Sequence, residues 1–163
     1  MRTLVPAPPQ VFVGRSRELA SFAAASSSIR LFLVYGVAGI GKTSFMLRAT
    51  DALTDRFGAV AHVRCQTSDT VTTIAGEALA QLPGRGDAAV ANDLDRLIDY
   101  VRTTPVMLCV DDAHRLAETV IQDLVTLAGA QLPLRLCLAS REALPVSPHA
   151  IDHSIVQIGR AHV

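Results

Sequence analysis

The chain has no tryptophan and only one lysine, and each shortage excludes something. Without Trp or a basic amphipathic face, it lacks what a helix needs to lie in a membrane surface. No apolar run approaches the roughly 20 residues that span a bilayer. The three cysteines, Cys65, Cys109 and Cys137, are isolated from one another and make neither a disulfide framework nor a CxxC metal site. Neither sign of charge prevails: 15 basic and 15 acidic residues cancel, with a pI near 7.0. There is thus no electrostatic case for direct nucleic-acid binding by this segment. Residues 1–10 hold prolines and one arginine but no apolar stretch, so they do not read as a signal peptide. What is present is globular in kind, since half of the 163 residues are hydrophobic and 18% are charged. That composition excludes a disordered tail and leaves a cytoplasmic single domain as the expectation.

One detail of composition points to chemistry. Of the 15 basic residues all but one are arginine, and the exception is Lys42.

Residues 1–10 form a Pro-stiffened lead-in. Leu19, Phe22 and Ala23 are spaced for a short helix over 15–25. LFLVY (31–35) is a continuous apolar run of strand length, and glycines follow at once. A helix is expected to open near Lys42 and carry Phe45, Met46, Ala49 and Leu53 inward. AVAHVRC (59–65) reads as a second strand. Val71, Ile74, Ala75, Ala78, Leu79 and Leu82 keep helical spacing until Pro83-Gly84. Asn92 is placed to cap a helix whose inner face is Leu94, Leu97, Ile98 and Val101. PVMLCV (105–110) is a third strand, closed by Asp111-Asp112. Helical spacing returns over 116–128, LRLCLAS (134–140) is a fourth strand, and HSIVQI (153–158) a fifth. Apolar strands alternating with amphipathic helices predict an α/β fold, with a parallel sheet covered on both faces.

Two strand ends carry the chemistry. Gly36, Val37, Ala38, Gly39, Ile40, Gly41, Lys42 and Thr43 fit G-x-x-x-x-G-K-[ST], with Ser44 following, between a buried strand and a helix start. Glycines let backbone N–H groups curl around a phosphate, and the helix N-terminus adds partial positive charge. Lys42 would reach the β- and γ-phosphates, and the Thr43 hydroxyl would coordinate Mg²⁺. A chance match anywhere in such a chain is expected roughly 5 times in 10,000. An apolar strand running into an acid is the Walker B arrangement. Asp111 would then hold the Mg²⁺ shell, and Asp112 would orient or deprotonate the attacking water. Ser140-Arg141 close the fourth strand, where a cationic side chain can report the γ-phosphate. The cysteines read as small buried hydrophobes and His62 as a packed or half-exposed strand residue. His114 reads either as a support to the Walker B acids or as an ordinary helix-start residue.

Val11 to Leu19 contains Phe12-Val13-Gly14-Arg15-Ser16-Arg17-Glu18-Leu19, which resembles the "hhGRxxEL" opening motif. With GVAGIGKT, VMLCVDDAH and LRLCLASRE in that order, residues 11–157 resemble the STAND class of signal-transduction ATPases. That class includes NB-ARC proteins and large bacterial transcription regulators. The resemblance implies a three-layer P-loop NTPase fold with a five-stranded sheet of order 5-1-4-3-2. It puts ATP or ADP at the P-loop, Val13, Gly14 and Arg15 near the adenine and ribose, and Arg141 at the sensor position. It also implies a switch, with ADP holding a closed state and ATP permitting a homo-oligomer. A helical Gly-x-Pro segment, a winged helix, and sensor and effector domains follow in that class, and here they would lie beyond Gln157. IGRAHV (158–163) is what one frame of a common sequencing adapter encodes, ATC GGA AGA GCA CAC GTC, so native sequence is expected to stop near Gln157.

Two other readings stay open. A motor or loader of the AAA+ class shares the sheet order, although such proteins commonly carry Glu where this chain has Asp112. A nucleotide-locked interaction module would bind ADP without turning over. A small-molecule kinase is disfavoured, because no Arg-rich lid is visible after the second strand.

Overall fold

The apolar runs pair into a single parallel sheet in the computed structural model, which describes residues 30–36, 42–53, 59–84, 92–146 and 153–157. The strands are β1 (Leu31–Tyr35), β2 (Ala59–Arg64), β3 (Val106–Asp111), β4 (Leu134–Ser140) and β5 (His153–Gln157). They lie in the order β2-β3-β4-β1-β5, and every neighbouring pair is parallel. The described helices are α1 (Lys42–Leu53), α2 (Val71–Gln81), α3 (Asp93–Val101) and α4 (Glu118–Ala128). The parallel α/β sheet expected from the alternation of runs is borne out, with β1, β4, β3 and β2 adjacent in that sequence.

Burial on both faces explains why the inner strands are uninterrupted hydrophobic runs. Leu31, Leu33, Val106, Leu108, Val110, Leu134, Leu136 and Leu138 point to the face covered by α2, α3 and α4. The alternate residues Phe32, Val34, Met107, Cys109, Cys137 and Ala139 are buried too, and α1 packs on that side through contacts with β1, β3 and β4. Each Leu, Val, Phe or Met side chain among them contributes about 1.5–3 kcal/mol relative to leaving it in water. β2 alternates buried and half-exposed positions instead, because it ends the sheet. Its open edge is partly covered by Gln81, whose side-chain amide accepts from the His62 N–H at 2.8 Å and donates to the His62 carbonyl at 2.7 Å.

Helices α2 and α3 begin where their caps put them. The Asn92 side chain accepts the Asp95 N–H at 2.9 Å, as its position before the run predicts. Thr70 and Thr73 form a reciprocal capping box that opens α2. At Gly76, α2 and α3 come so close that a Cβ would lie 2.6 Å from an Asp93 carboxylate oxygen.

Three details differ from the spacing argument. Tyr100 joins the inner face of α3, because its ring is buried while its hydroxyl donates to the Pro83 carbonyl at 2.7 Å. Leu94 and Ile98 are only half-buried there. The fourth helix begins at Glu118 and not at 116, since Asp112 turns the chain left-handed and a 3₁₀ turn, Ala113–Arg115, intervenes. Leu116 is still buried, but from the turn. The expected helix over 15–25 and the segments 1–10 and 158–163 lie outside the described residues. Among the described residues no helix is long and apolar enough to cross a membrane.

Leu108, at the centre of β3 and 1% exposed, tests this core. Leu108→Ala is expected to cost about 2–5 kcal/mol of unfolding free energy by chemical denaturation. A loss under about 1 kcal/mol would mean that β3 is not central.

Candidate functional site

The C-terminal ends of β1, β3 and β4 lie side by side, and among the described residues Gly36, Asp111, Asp112, Ser140 and Arg141 stand at or just past them. The Gly36 N–H donates to the Ser140 carbonyl at 3.2 Å, which holds the exits of β1 and β4 together. The Cys65 N–H does the same for β2 and β3, donating to the Asp111 carbonyl at 2.9 Å.

Asp111 is 1% exposed, and a buried carboxylate is costly unless donors meet it. They do. The Thr43 hydroxyl, on the first turn of α1, donates to Asp111 Oδ2, and the Asp112 N–H reaches Asp111 Oδ1 at 2.9 Å. Thr43 and Asp111 are 68 residues apart in sequence, so the fold alone unites them. A carboxylate and a hydroxyl side by side at the head of a helix are oxygen ligands of the kind a hard divalent cation takes. The residues present therefore fit Mg²⁺.

Asp112 differs from its neighbour. Its backbone sits at φ 58° and ψ 37°, a left-handed conformation that Asp tolerates at a cost of about 1 kcal/mol. Its side chain is about a quarter exposed and ion-paired with Arg64, Nε to Oδ2 at 3.3 Å. Arg64 closes β2 and is in register with Asp111. No motif flagged Arg64. The available signal was a charged residue ending the strand beside the one that closes on Asp111-Asp112. Arg64 is 70% exposed, so the pair positions Asp112 more than it stabilises the fold.

The other expected residues are placed as follows. Lys42 is the first residue of α1, and Ser44 is half-buried on its first turn. Val13, Gly14, Arg15, Val37, Ala38, Gly39, Ile40 and Gly41 lie outside the described residues. Arg141 is exposed just past β4, and its N–H donates to His114 Nδ1 at 3.2 Å. Sequence reasoning also missed Tyr35, whose hydroxyl accepts the Leu144 N–H at 3.1 Å.

All three cysteines are buried. Burial, with Asp69, Glu77, Asp111 and Asp112 adding to it, pushes the Cys65 thiol up to about 12. Cys137 is raised by its hydrogen bond with Cys109 and by burial. The Cys65 and Cys137 thiols are thus held neutral, in keeping with packing roles. His62, in register with Cys109, has a buried Nε2 with no hydrogen-bond partner among the described residues. Burial holds its imidazole below the usual range, Arg64 adds to the effect, and Asp111 opposes it.

This geometry is that of a P-loop nucleoside-triphosphate domain's strand exits. The chain belongs to the AAA ATPase domain family, whose sequence pattern it matches over residues 11–139. No curated protein matches it in sequence. Among solved structures it is similar to Cdc6p from Pyrobaculum aerophilum, with 16% identity and a TM-score of 0.71 over 94% of this chain and 47% of that one. A Walker-type ATPase of Pyrococcus abyssi gives 15% identity and a TM-score of 0.60, covering 88% and 53%. The origin recognition complex of Drosophila, in a structure bound to DNA, gives 16% and 0.66, covering 94% and 30%. These likenesses are of fold, and the chain spans about half or less of each relative's length.

The depressed His62 pKa has a consequence for stability. Below its ordinary value of 6.5 the unfolded chain takes up a proton that the folded chain resists, so stability falls as pH drops from there towards the folded-state pKa. Denaturation curves between pH 7 and 5 should show a shallower loss for His62→Leu than for the natural chain. Parallel losses would remove His62 from the account.

Proposed function

We propose that the chain is the ATP-binding, slowly Mg-ATP-hydrolysing switch domain of a larger cytoplasmic regulatory ATPase of the STAND class. The observation that carries nucleotide chemistry is the bond between Thr43 and Asp111, because it joins the head of the P-loop helix to the Walker B strand. The five-stranded order 5-1-4-3-2 of a three-layer P-loop fold belongs to the same reading, and the pairing of β1 with β5 supports it. The nucleotide-binding domain spans 11–157, after the lead-in 1–10.

The roles follow from position. Backbone N–H groups of 36–41 and the α1 N-terminus receive the phosphates, and Lys42 neutralises the β- and γ-phosphates. Thr43 and Asp111 hold Mg²⁺, which when bound supplies charge neutralisation to the triphosphate. Asp112 orients the attacking water or takes its proton, and Arg64 holds that carboxylate at the site edge. Arg141 senses the γ-phosphate. Val13, Gly14 and Arg15 contact the base and ribose. The partners are the nucleotide, the winged-helix, sensor and effector domains of the same chain, and a homo-oligomer formed with ATP.

A second reading, a AAA+ motor or loader domain, is favoured equally by the family and by the fold likeness to Cdc6p and the origin recognition complex. Fast turnover in a nucleotide-stimulated hexamer, with an arginine supplied by a neighbour, would identify it.

Two variants test the shared core. Lys42→Ala is expected to abolish ATP binding in calorimetry, and retained micromolar binding would rule out the P-loop assignment. Asp112→Asn should keep ATP affinity while slowing phosphate release by roughly 10²–10⁴-fold. An unchanged rate would remove the catalytic role and leave the non-hydrolysing module.

A further inference from the structure

The segment after β4, residues 141–146, is tied to three separate elements by bonds between side chains and backbone. The Arg141 N–H donates to His114 Nδ1 at 3.2 Å, bridging 27 residues of sequence. The Leu144 N–H donates to the Tyr35 hydroxyl at 3.1 Å, 109 residues away. Tyr35 is the last residue of β1, directly before the P-loop glycine Gly36. The Pro145 carbonyl accepts from Gln122 Nε2 of α4 at 2.7 Å. Within the segment, the Ser140 hydroxyl accepts the Glu142 N–H at 3.2 Å and donates to the Glu142 carbonyl at 2.5 Å.

The bond at His114 is not forced by burial. Arg141 is exposed, and water would satisfy its N–H if the imidazole were absent. What the bond adds is position. His114 lies in the 3₁₀ turn produced by the left-handed Asp112, so its ring moves with the two acids. An Nδ1 that accepts also fixes the tautomer, leaving the proton of the neutral ring on Nε2. The exit of β4 is therefore registered against the exit of β3 through a single imidazole.

We propose that His114 is a positioning residue that holds the backbone of Arg141, and so its guanidinium, in fixed register with Asp111 and Asp112. Arg141 then meets a γ-phosphate only where the acids meet the metal and water of the same nucleotide. The inference deepens the reading above and rests on it for the sensing role of Arg141. Tyr35 completes the arrangement from the P-loop side, since it holds the same segment three residues further on.

The test uses the full chain. ¹⁵N NMR should show neutral His114 as the Nε2–H tautomer, and the Nδ1–H tautomer would overturn the proposal. ATP and ADP affinities are then measured for the natural chain, Arg141→Ala, His114→Asn and His114→Gln. Asn sets an acceptor where Nδ1 stands, whereas Gln sets it one bond further out. His114→Asn should keep the ATP-to-ADP affinity ratio within about twofold, and His114→Gln should lose roughly five- to tenfold, as Arg141→Ala does. Both His variants are polar and exposed enough to fold, so equal melting temperatures are expected. Asn and Gln variants that behave alike would overturn the positioning role. If Arg141→Ala loses the ratio while both His variants keep it, the sensor assignment stands without His114. If Arg141→Ala also keeps it, or the natural chain shows no nucleotide preference, the sensing role falls and this inference falls with it.

Discussion

A carboxylate buried at the end of an inner strand, β3, is the constraint from which the rest of the site follows. β3 is paired on both sides and buried at all six positions, Asp111 included. An ionised group there without donors would cost several kcal/mol, enough to remove much of a small domain's stability. The donors come from two directions: the Thr43 hydroxyl from α1 and the Asp112 N–H from the next residue. The seat of α1 on the sheet and the left-handed turn at Asp112 are thus answers to one electrostatic demand. The turn has its own consequence, because it delivers the 3₁₀ segment that carries His114.

Adjacent acids have been given opposite environments. Asp111 is enclosed and fixed by neutral donors, whereas Asp112 is partly exposed and faces a flexible, largely solvated Arg64. Surface ion pairs of this kind contribute about 0–1 kcal/mol, so Asp112 is steered but not locked. The proposed division of roles, Asp111 toward the metal and Asp112 toward the attacking water, draws on this difference in setting. The division lies in the backbone: extended at Asp111, left-handed at Asp112.

The sheet was legible because burial on both faces writes itself into sequence as uninterrupted runs. LFLVY, VMLCV and LRLCLAS occupy β1, β3 and β4 nearly residue for residue. That Thr43 and Asp111 would stand opposite each other was legible as well, since each has a fixed offset from a glycine pattern or a strand end. Arg64, Tyr35 and the partner of His114 were not. Each acts through a tertiary contact between elements, and an arginine ending a strand looks in sequence like any solvated charge. Tyr100 was missed for a related reason, as only aliphatic spacing was counted and its hydroxyl found a partner on a loop. The start of α4 was misplaced because a left-handed aspartate leaves no mark in hydrophobic spacing.

Where a difference between two nucleotide states would be carried is itself constrained by packing. A close-packed interior does not deform continuously, and β1, β3 and β4 are locked in register with side chains buried on both faces. Shifting one strand by a residue would expose several side chains, each worth about 1.5–3 kcal/mol. The exits are held differently. The bonds from His114, Tyr35 and Ser140 to the segment after β4 are individual hydrogen bonds, exposed at His114 and buried at Tyr35, each worth about 0.5–1.5 kcal/mol. A phosphate group that engages charged side chains has more than that to offer. Among the described residues, a rigid sheet with more lightly fastened exits leaves those around Asp112, His114 and Arg141 as the part of the proposed switch that packing restrains least.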